Sequence, residues 1–122
     1  MKLYTKKETG YVEKSIQKWE RIVDRTDVDE GIKNCALCKE YYHSNIPDYY
    51  CPDYYCIGCP IKEFIGISEC RHTPYTDWLH VQPISNSFIF QNTNDETQKA
   101  AEAELEFLKM IKLYTIRFRK FT

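Results

Sequence analysis

From Cys35 to Cys59 the chain reads CALCKEYYHSNIPDYYCPDYYCIGC, and this stretch decides how the middle of the protein folds. It opens with Cys35-Ala-Leu-Cys38 and closes with Cys56-Ile-Gly-Cys59, two C-x2-C units separated by 17 residues. This spacing is typical of a zinc site, because the two thiolates of each tight turn can converge on one tetrahedral ion. Gly58 suits the second turn, since a residue without Cβ lets backbone N–H groups approach the sulfurs. The sequence therefore predicts a paired-knuckle metal site with zinc as the ion.

Cys70 adds a fifth candidate ligand, so the predicted metal ligands are Cys35, Cys38, Cys56, Cys59 and Cys70. Cys70 could take the place of Cys56 as the fourth ligand, bind a second ion together with His72, or be a packed free thiol. Cys51 is the least constrained of the six cysteines. An iron–sulfur cluster also needs four thiolates, but this spacing is more open than that of the ferredoxin motif. Disulfides would need an oxidising compartment, for which the sequence carries no signal.

The cysteine-rich region, residues 34–80, shows no sustained hydrophobic periodicity and holds all six cysteines and all three histidines. We expect its order to come from a bound metal more than from helix packing. Short helices are predicted only from Ala36 to Tyr42 and, after Pro60, from Ile61 to Ile65. A closed site of four thiolates leaves no position for water, so its zinc would be structural. No catalytic motif accompanies it, and we predict that the protein is not an enzyme.

An amphipathic helix is predicted over residues 9–25. Val12, Ile16, Trp19 and Val23 recur at helical spacing, which makes Trp19 a core anchor. Thr9 is the candidate N-cap, and Lys18 falls on the polar side of the helix. The acidic run of Asp27, Asp29 and Glu30 that follows is predicted to be a solvated loop.

A second, longer helix is predicted over residues 95–116, with Asn94 or Asp95 as its cap. Acidic residues, including Glu104, crowd its first half and basic residues its end, which is the order that the helix dipole favours. The fold class is therefore mainly α: one domain over residues 1–122, with N- and C-terminal amphipathic helices packed together around an irregular, metal-stapled zinc-knuckle middle. Phe88-Ile89-Phe90 could add a short strand.

The composition narrows the function classes. Net charge is −1, which disfavours a protein that coats nucleic acid, and the 10 Tyr and 6 Phe residues indicate a core rich in aromatic rings. No secretory signal or membrane-spanning run is visible, so we expect a soluble protein in a reducing cytoplasm. The only basic cluster lies near the end, at Lys112, Arg117, Arg119 and Lys120.

Several segments, in this order, resemble a group of small cysteine-rich proteins carried by bacteriophages and prophages. The likeness covers roughly residues 15 to 112. It rests on Lys18-Trp19-Glu20, Cys38-Lys39, Cys56-x-Gly58-Cys59-Pro60, Cys70-x-x-Thr73-Pro74-Tyr75 and the run AEAELEFLK from Ala101 to Lys109. The resemblance implies a viral or prophage origin and the host cytoplasm as the setting, and it implies no particular reaction. Cys70 lies on the shared pattern, whereas Cys51 does not.

Two functions of different classes follow as expectations. The first is a zinc-binding phage accessory protein that acts by protein–protein interaction with a host or phage protein, which it could inhibit; the many tyrosines suit such an interface. The alternative is a nucleic-acid-binding zinc-knuckle module that uses the tyrosines and the basic cluster.

Overall fold

The computed structural model describes residues 3–41, 58–66, 72–82 and 91–120. These residues are mainly helical. The elements, in chain order, are α1 (Lys6–Val23), a 3₁₀ turn (Gly31–Asn34), α2 (Ala36–Tyr41), α3 (Pro60–Ile65), α4 (Pro74–His80) and α5 (Asp95–Arg117). Within these ranges no helix combines the length and the apolar character that a membrane crossing requires.

α1 begins earlier than the sequence predicted. Its N-cap is Thr5, whose hydroxyl accepts a hydrogen bond from the N–H of Glu8 at 3.2 Å, while Glu8 Oε1 accepts from the N–H of Thr5 at 3.1 Å. This reciprocal pair is a capping box, which satisfies two backbone donors at the helix start. The prediction of Thr9 as N-cap was therefore wrong: Thr9 lies inside the helix, one step before Val12 on the buried stripe, and is itself buried.

The N- and C-terminal helices pack together, as predicted. The buried positions of both recur every three or four residues, so each helix turns one continuous stripe towards the other. This core is formed by Val12, Ile16, Trp19 and Ile22 of α1 with Ala101, Leu105, Leu108 and Ile111 of α5. Trp19 is 4% exposed, which confirms it as a core anchor.

α5 spans nearly the range predicted for it. Asn94 caps the helix: its side chain accepts from the N–H of Thr97 at 2.9 Å, and the hydroxyl of Thr97 accepts from the N–H of Asn94 at 3.1 Å. Thr97 takes the place of the Glu or Gln that usually completes such a box.

The described parts of the middle region hold more helix than the sequence indicated. α3 was predicted, and it ends at Gly66, where a φ of +87° provides the left-handed C-cap that glycine favours. α4 was not predicted. It carries the fully buried Trp78, whose ring meets that of Trp19 edge to face with centroids 5.2 Å apart. α4 also packs on α5, so it completes the core that α1 and α5 begin.

A short backbone bridge joins the two ends of the described chain. The N–H of Tyr4 donates to the carbonyl of Phe118 at 2.7 Å, and the N–H of Lys120 donates to the carbonyl of Tyr4 at 2.8 Å. Below it, the hydroxyl oxygens of Thr9 and Thr115 lie 2.9 Å apart between α1 and α5. The bridge and this hydroxyl contact therefore tie the beginning of α1 to the end of α5.

Candidate metal centre and the polar groups around it

Asp29 is the centre of a buried polar cluster. Its Oδ1 accepts hydrogen bonds from Lys18 Nζ at 2.8 Å and from the N–H of Gly31 at 2.9 Å. Its Oδ2 accepts from Tyr75 Oη at 2.8 Å and from Trp78 Nε1 at 3.2 Å. Four donors thus surround one carboxylate, which compensates for the removal of its charge from water.

The backbone of the same residue is also held. The N–H of Asp29 donates to Gln91 Oε1 at 2.6 Å, and Gln91 Nε2 donates back to the carbonyl of Asp29 at 2.8 Å. Asp29 therefore ties together α1, α4 and the segment that leads into α5. Two predictions are corrected here, because Asp29 is not in a solvated loop and Lys18 is not on a polar face: both are about 4% exposed.

Cys35 and Cys38 form the first half of the predicted metal site. Cys35 immediately precedes α2, and its carbonyl accepts the first helical hydrogen bond, from the N–H of Lys39 at 2.9 Å. Its Sγ accepts from the N–H of Cys38 at 3.2 Å. A hydrogen bond from the Cys38 side chain, helped by that backbone N–H and by the charge of Lys18, lowers the pKa of the Cys35 thiol to about 6. A thiolate is therefore favoured at Cys35, as it is for cysteines at the start of a helix.

Cys59 stands in the same relation to α3 as Cys35 does to α2. It precedes Pro60, its carbonyl accepts from the N–H of Glu63 at 3.0 Å, and Gly58 before it has a φ of +85°. Gly58 thus adopts a conformation in the left-handed region, which agrees with the turn predicted at this position. Cys59 is 5% exposed and belongs to the same core cluster against which Cys35 packs.

Tyr41, the last residue of α2, holds this helix against α1. Its hydroxyl donates to Glu8 Oε2 at 3.1 Å, and its ring meets that of Tyr11 edge to face. Burial, first, and then the negative charges of Glu8 and Cys59 raise the pKa of Tyr41.

The described residues test only part of the predicted ligand set. Cys56, Cys70 and also Cys51 lie outside them, as do Phe88-Ile89-Phe90. Among the residues that the structure does describe, no three His, Cys, Asp or Glu side chains converge as a metal site requires. Cys35 and Cys38 are adjacent, and Cys59 lies in the same core; completion of the site by Cys56 or Cys70 stays a prediction.

The first half-site fits zinc on its own chemistry. Zinc is held by thiolates, and Cys35 offers one whose sulfur already accepts a backbone N–H, an interaction that fixes the direction of a ligand. Cys38 would share the same ion, because its backbone turns onto Cys35 within one helical turn. The four-thiolate site implied by Cys35, Cys38, Cys59 and one further cysteine would be closed and structural.

Glu104 is a buried carboxylic acid beside the candidate metal centre, and its burial was not predicted from the sequence. It is 3% exposed, and its Oε2 has no hydrogen-bond partner in the described part of the chain. Burial, and then the negative charges of Cys35 and Asp29, raise the pKa of Glu104 to about 8, against an opposing effect of Lys18. A signal was present: Ala101, Glu104, Leu105 and Leu108 follow helical spacing, so Glu104 falls within the apolar stripe.

A cationic groove runs between α1 and α2, beside Cys35 and Cys38. Its cavity volume is about 380 Å³, and its lining residues are Tyr11, Lys14, Gln17, Lys18, Arg21, Asn34, Ala36, Lys39 and Glu40. Lys18 is neutralised by Asp29, and Arg21 pairs with Asp27 at 3.0 Å on the surface. Within the described ranges Lys14 and Lys39 have no ion-pair partner, so both remain available to an anion.

The basic cluster near the end of the chain is partly used inside the fold. Lys112 pairs with Glu13 of α1 at 3.3 Å, and Arg119 Nη2 donates to the buried hydroxyl of Thr9 at 2.9 Å. Arg117 lies over the ring of Phe118 and is exposed. The cluster therefore offers fewer free charges to a phosphate backbone than the sequence suggests.

No protein-family model, curated protein or solved structure matches this chain.

Proposed function

We propose that this chain is a small zinc-binding accessory protein of phage or prophage origin that acts in the host cytoplasm by binding a host or phage protein and inhibiting it. The hydrogen bond from the N–H of Cys38 to Cys35 Sγ carries the proposal, because such a turn onto the first sulfur is the local geometry that a C-x2-C zinc ligand pair needs. When bound, zinc supplies a fixed cross-link between thiolates.

The metal and the binding surface are connected through α2. Cys35 and Cys38 fix the start of this six-residue helix, and Ala36, Lys39 and Glu40 of the same helix form one wall of the cationic groove. A helix this short is not stable by itself. Zinc ligation would hold that wall in place, and the groove would then accept an acidic segment of the partner at Lys14 and Lys39.

The metal is tested by elemental analysis of protein purified without added metal, with an absorption spectrum recorded alongside. One zinc per chain and no visible band supports the proposal. A brown protein with an iron–sulfur spectrum, or a metal-free and stably folded protein, contradicts it.

The binding surface is tested by quantitative recovery of partners from host lysate on immobilised protein. Lys14→Glu/Lys39→Glu reverses the two lysines of the groove that lack an ion pair among the described residues, and Lys6→Glu/Lys7→Glu reverses two exposed charges of α1 outside it. We expect the wild type and the control variant to retain the same partner protein. The amount of that partner recovered on the groove variant should be at least about tenfold lower. Equal retention by both variants would remove the groove from the proposal.

Nucleic-acid binding is the second candidate function, because the phosphates of a nucleic acid could also pair with Lys14, Arg21 and Lys39 in this groove. This reading requires an affinity for single or double strands that falls steeply as salt is raised. Binding that is absent at low salt, or equal in the wild type and the groove variant, excludes it.

A further inference from the structure

The outer face of α5 carries an exposed stripe that the core does not use. Glu106, Met110, Leu113 and Arg117 are all exposed and are spaced by four, three and four residues, so they lie in one line along the helix. Met110 is 44% and Leu113 66% exposed. These four residues are called the α5 seam below. The opposite side of the helix packs against α1.

The spacing of the seam matches the a and d positions of a heptad repeat, which is the pattern that pairs two helices side by side. Its order of residues is acidic, apolar, apolar, basic. In an antiparallel pair with the two-fold axis between Ile111 and Lys112, Met110 faces Leu113 of the second copy, and Glu106 faces Arg117. Opposite charges therefore meet at both ends of the apolar contact.

A parallel pair of the same seam behaves in the opposite way. Glu106 would face Glu106 and Arg117 would face Arg117, so both ends would bring like charges together. The order of charges along the seam thus favours a second copy of the same helix as the partner, and an antiparallel orientation of the two helices. A second copy of the chain, running antiparallel, satisfies every position of the seam at once.

Exposed apolar side chains next to the seam enlarge the surface. Ile116 is 45% exposed on the same helix, and Phe64 of α3 is 41% exposed and packs edge to face on Tyr114 with centroids 5.2 Å apart. The ion pair of Glu106 with Lys109, at 3.4 Å, is exposed, and such pairs hold little energy. Glu106 therefore remains available to a partner.

We propose that this chain forms an antiparallel homodimer through the α5 seam. The apolar contact is short compared with that of permanent dimers, so the dimer is reversible, with a dissociation constant on the order of 10 μM. The seam lies apart from Cys35, Cys38 and the cationic groove. Self-association consequently does not depend on the metal or on a partner protein.

The experiment is sedimentation velocity on the purified full chain over a concentration series at low salt. The wild type is expected to pass from monomer to dimer. Glu106→Arg and Arg117→Glu, made singly, each place like charges at both ends of the contact and weaken the dimer roughly tenfold. Glu106→Arg/Arg117→Glu restores the pairing in reverse and returns the dissociation constant to near that of the wild type.

Two controls separate the seam from general effects of charge. Glu20→Arg and Lys7→Glu make the same charge changes at exposed positions of α1 and are expected to leave dimerisation unchanged. Leu113→Ser removes the most exposed apolar residue of the seam and is expected to give a monomer with an unchanged circular dichroism spectrum. A wild type that stays monomeric to about 1 mM, or a double reversal that fails to restore the dimer, overturns the proposal. Neither result bears on zinc or on partner binding, which are tested separately.

Discussion

Lys18 Nζ lies 2.8 Å from Asp29 Oδ1, and both side chains are removed from water, at 5% and 4% exposure. Burial of two charges is unfavourable unless each is paired and hydrogen-bonded, and Asp29 meets that condition with three further donors. The pair with Lys18 therefore holds the loop after α1 against that helix, and the hydrogen bonds from Tyr75 and Trp78 hold it against α4.

Asp29→Ala is expected to lower the free energy of unfolding by about 3–5 kcal/mol, because it leaves the Lys18 ammonium buried without a partner. Urea denaturation measures the change. Asp27→Ala is the matched control: it removes an exposed pair with Arg21 and a local hydrogen bond from the N–H of Val28, so it should lower stability by only about 1 kcal/mol. Similar losses in the two variants would contradict the structural role given to Asp29.

Glu104 makes stability depend on pH. Its pKa is about 8 in the folded protein and ordinarily 4.5, so the folded state binds its proton more tightly than the unfolded state does. The resulting stabilisation is complete below about pH 4.5 and is lost as the pH rises towards 8. We expect this loss to lower the free energy of unfolding by at least about 1 kcal/mol between pH 5 and 8, and Glu104→Gln should abolish it.

The measurement is the free energy of unfolding by urea at several pH values between 5 and 9 for the wild type and the variant. Glu102→Gln is the control, because Glu102 is exposed on the same helix. The slope for Glu102→Gln should follow that of the wild type. A slope for Glu104→Gln that also follows the wild type would show that Glu104 titrates normally.

The cap of α5 gives a third prediction. Asn94→Ala removes the acceptor of the Thr97 N–H and should lower the free energy of unfolding by about 1 kcal/mol. Thermal unfolding followed by circular dichroism detects this loss. Thr93→Ala changes an exposed neighbour that contributes only its backbone N–H to the cap, so its melting temperature should be unchanged.

The fourth prediction assigns the metal ligands. Cys35→Ser, Cys38→Ser and Cys59→Ser should each abolish stoichiometric zinc, whereas Cys51→Ser should leave the zinc content unchanged. Of Cys56→Ser and Cys70→Ser, only the variant that removes the fourth ligand should lose the metal. Elemental analysis of each purified variant decides between them. Full zinc content in the Cys35 variant would refute the half-site at α2.

The sequence predicted the long helices well, because each is long enough for its apolar residues to recur over several turns. α5 was located to within a residue or two, and Trp19 and the start of α3 at Pro60 were placed correctly. The seven residues of α4 are too few to show periodicity, and its start signal, Pro74 after Thr73, was missed although Pro60 gives the same signal for α3. The start of α1 was misplaced although Thr5 and Glu8 have the spacing of a capping box.

The candidate site was less predictable. The C-x2-C spacing was enough to bring Cys35 and Cys38 together, because that contact is local. Lys18 and Asp29 were assigned to solvent, since charged residues are seldom buried and their pairing depends on how the loop after α1 returns to the core. Asp29 contacts Tyr75, Trp78 and Gln91 only in the folded chain. No residue spacing in the sequence predicts such long-range contacts.

The bridge between Tyr4 and Arg119 has a consequence for folding kinetics. The two helices that share most of the core lie at opposite ends of the described chain, so their first encounter must close a loop made of the whole middle region. Such a closure reduces chain entropy before any apolar surface is buried. Helical proteins usually fold fast because their contacts are local. Because α1 and α5 are far apart in the sequence, we expect folding to be slower than in a bundle whose neighbouring helices are joined by short turns.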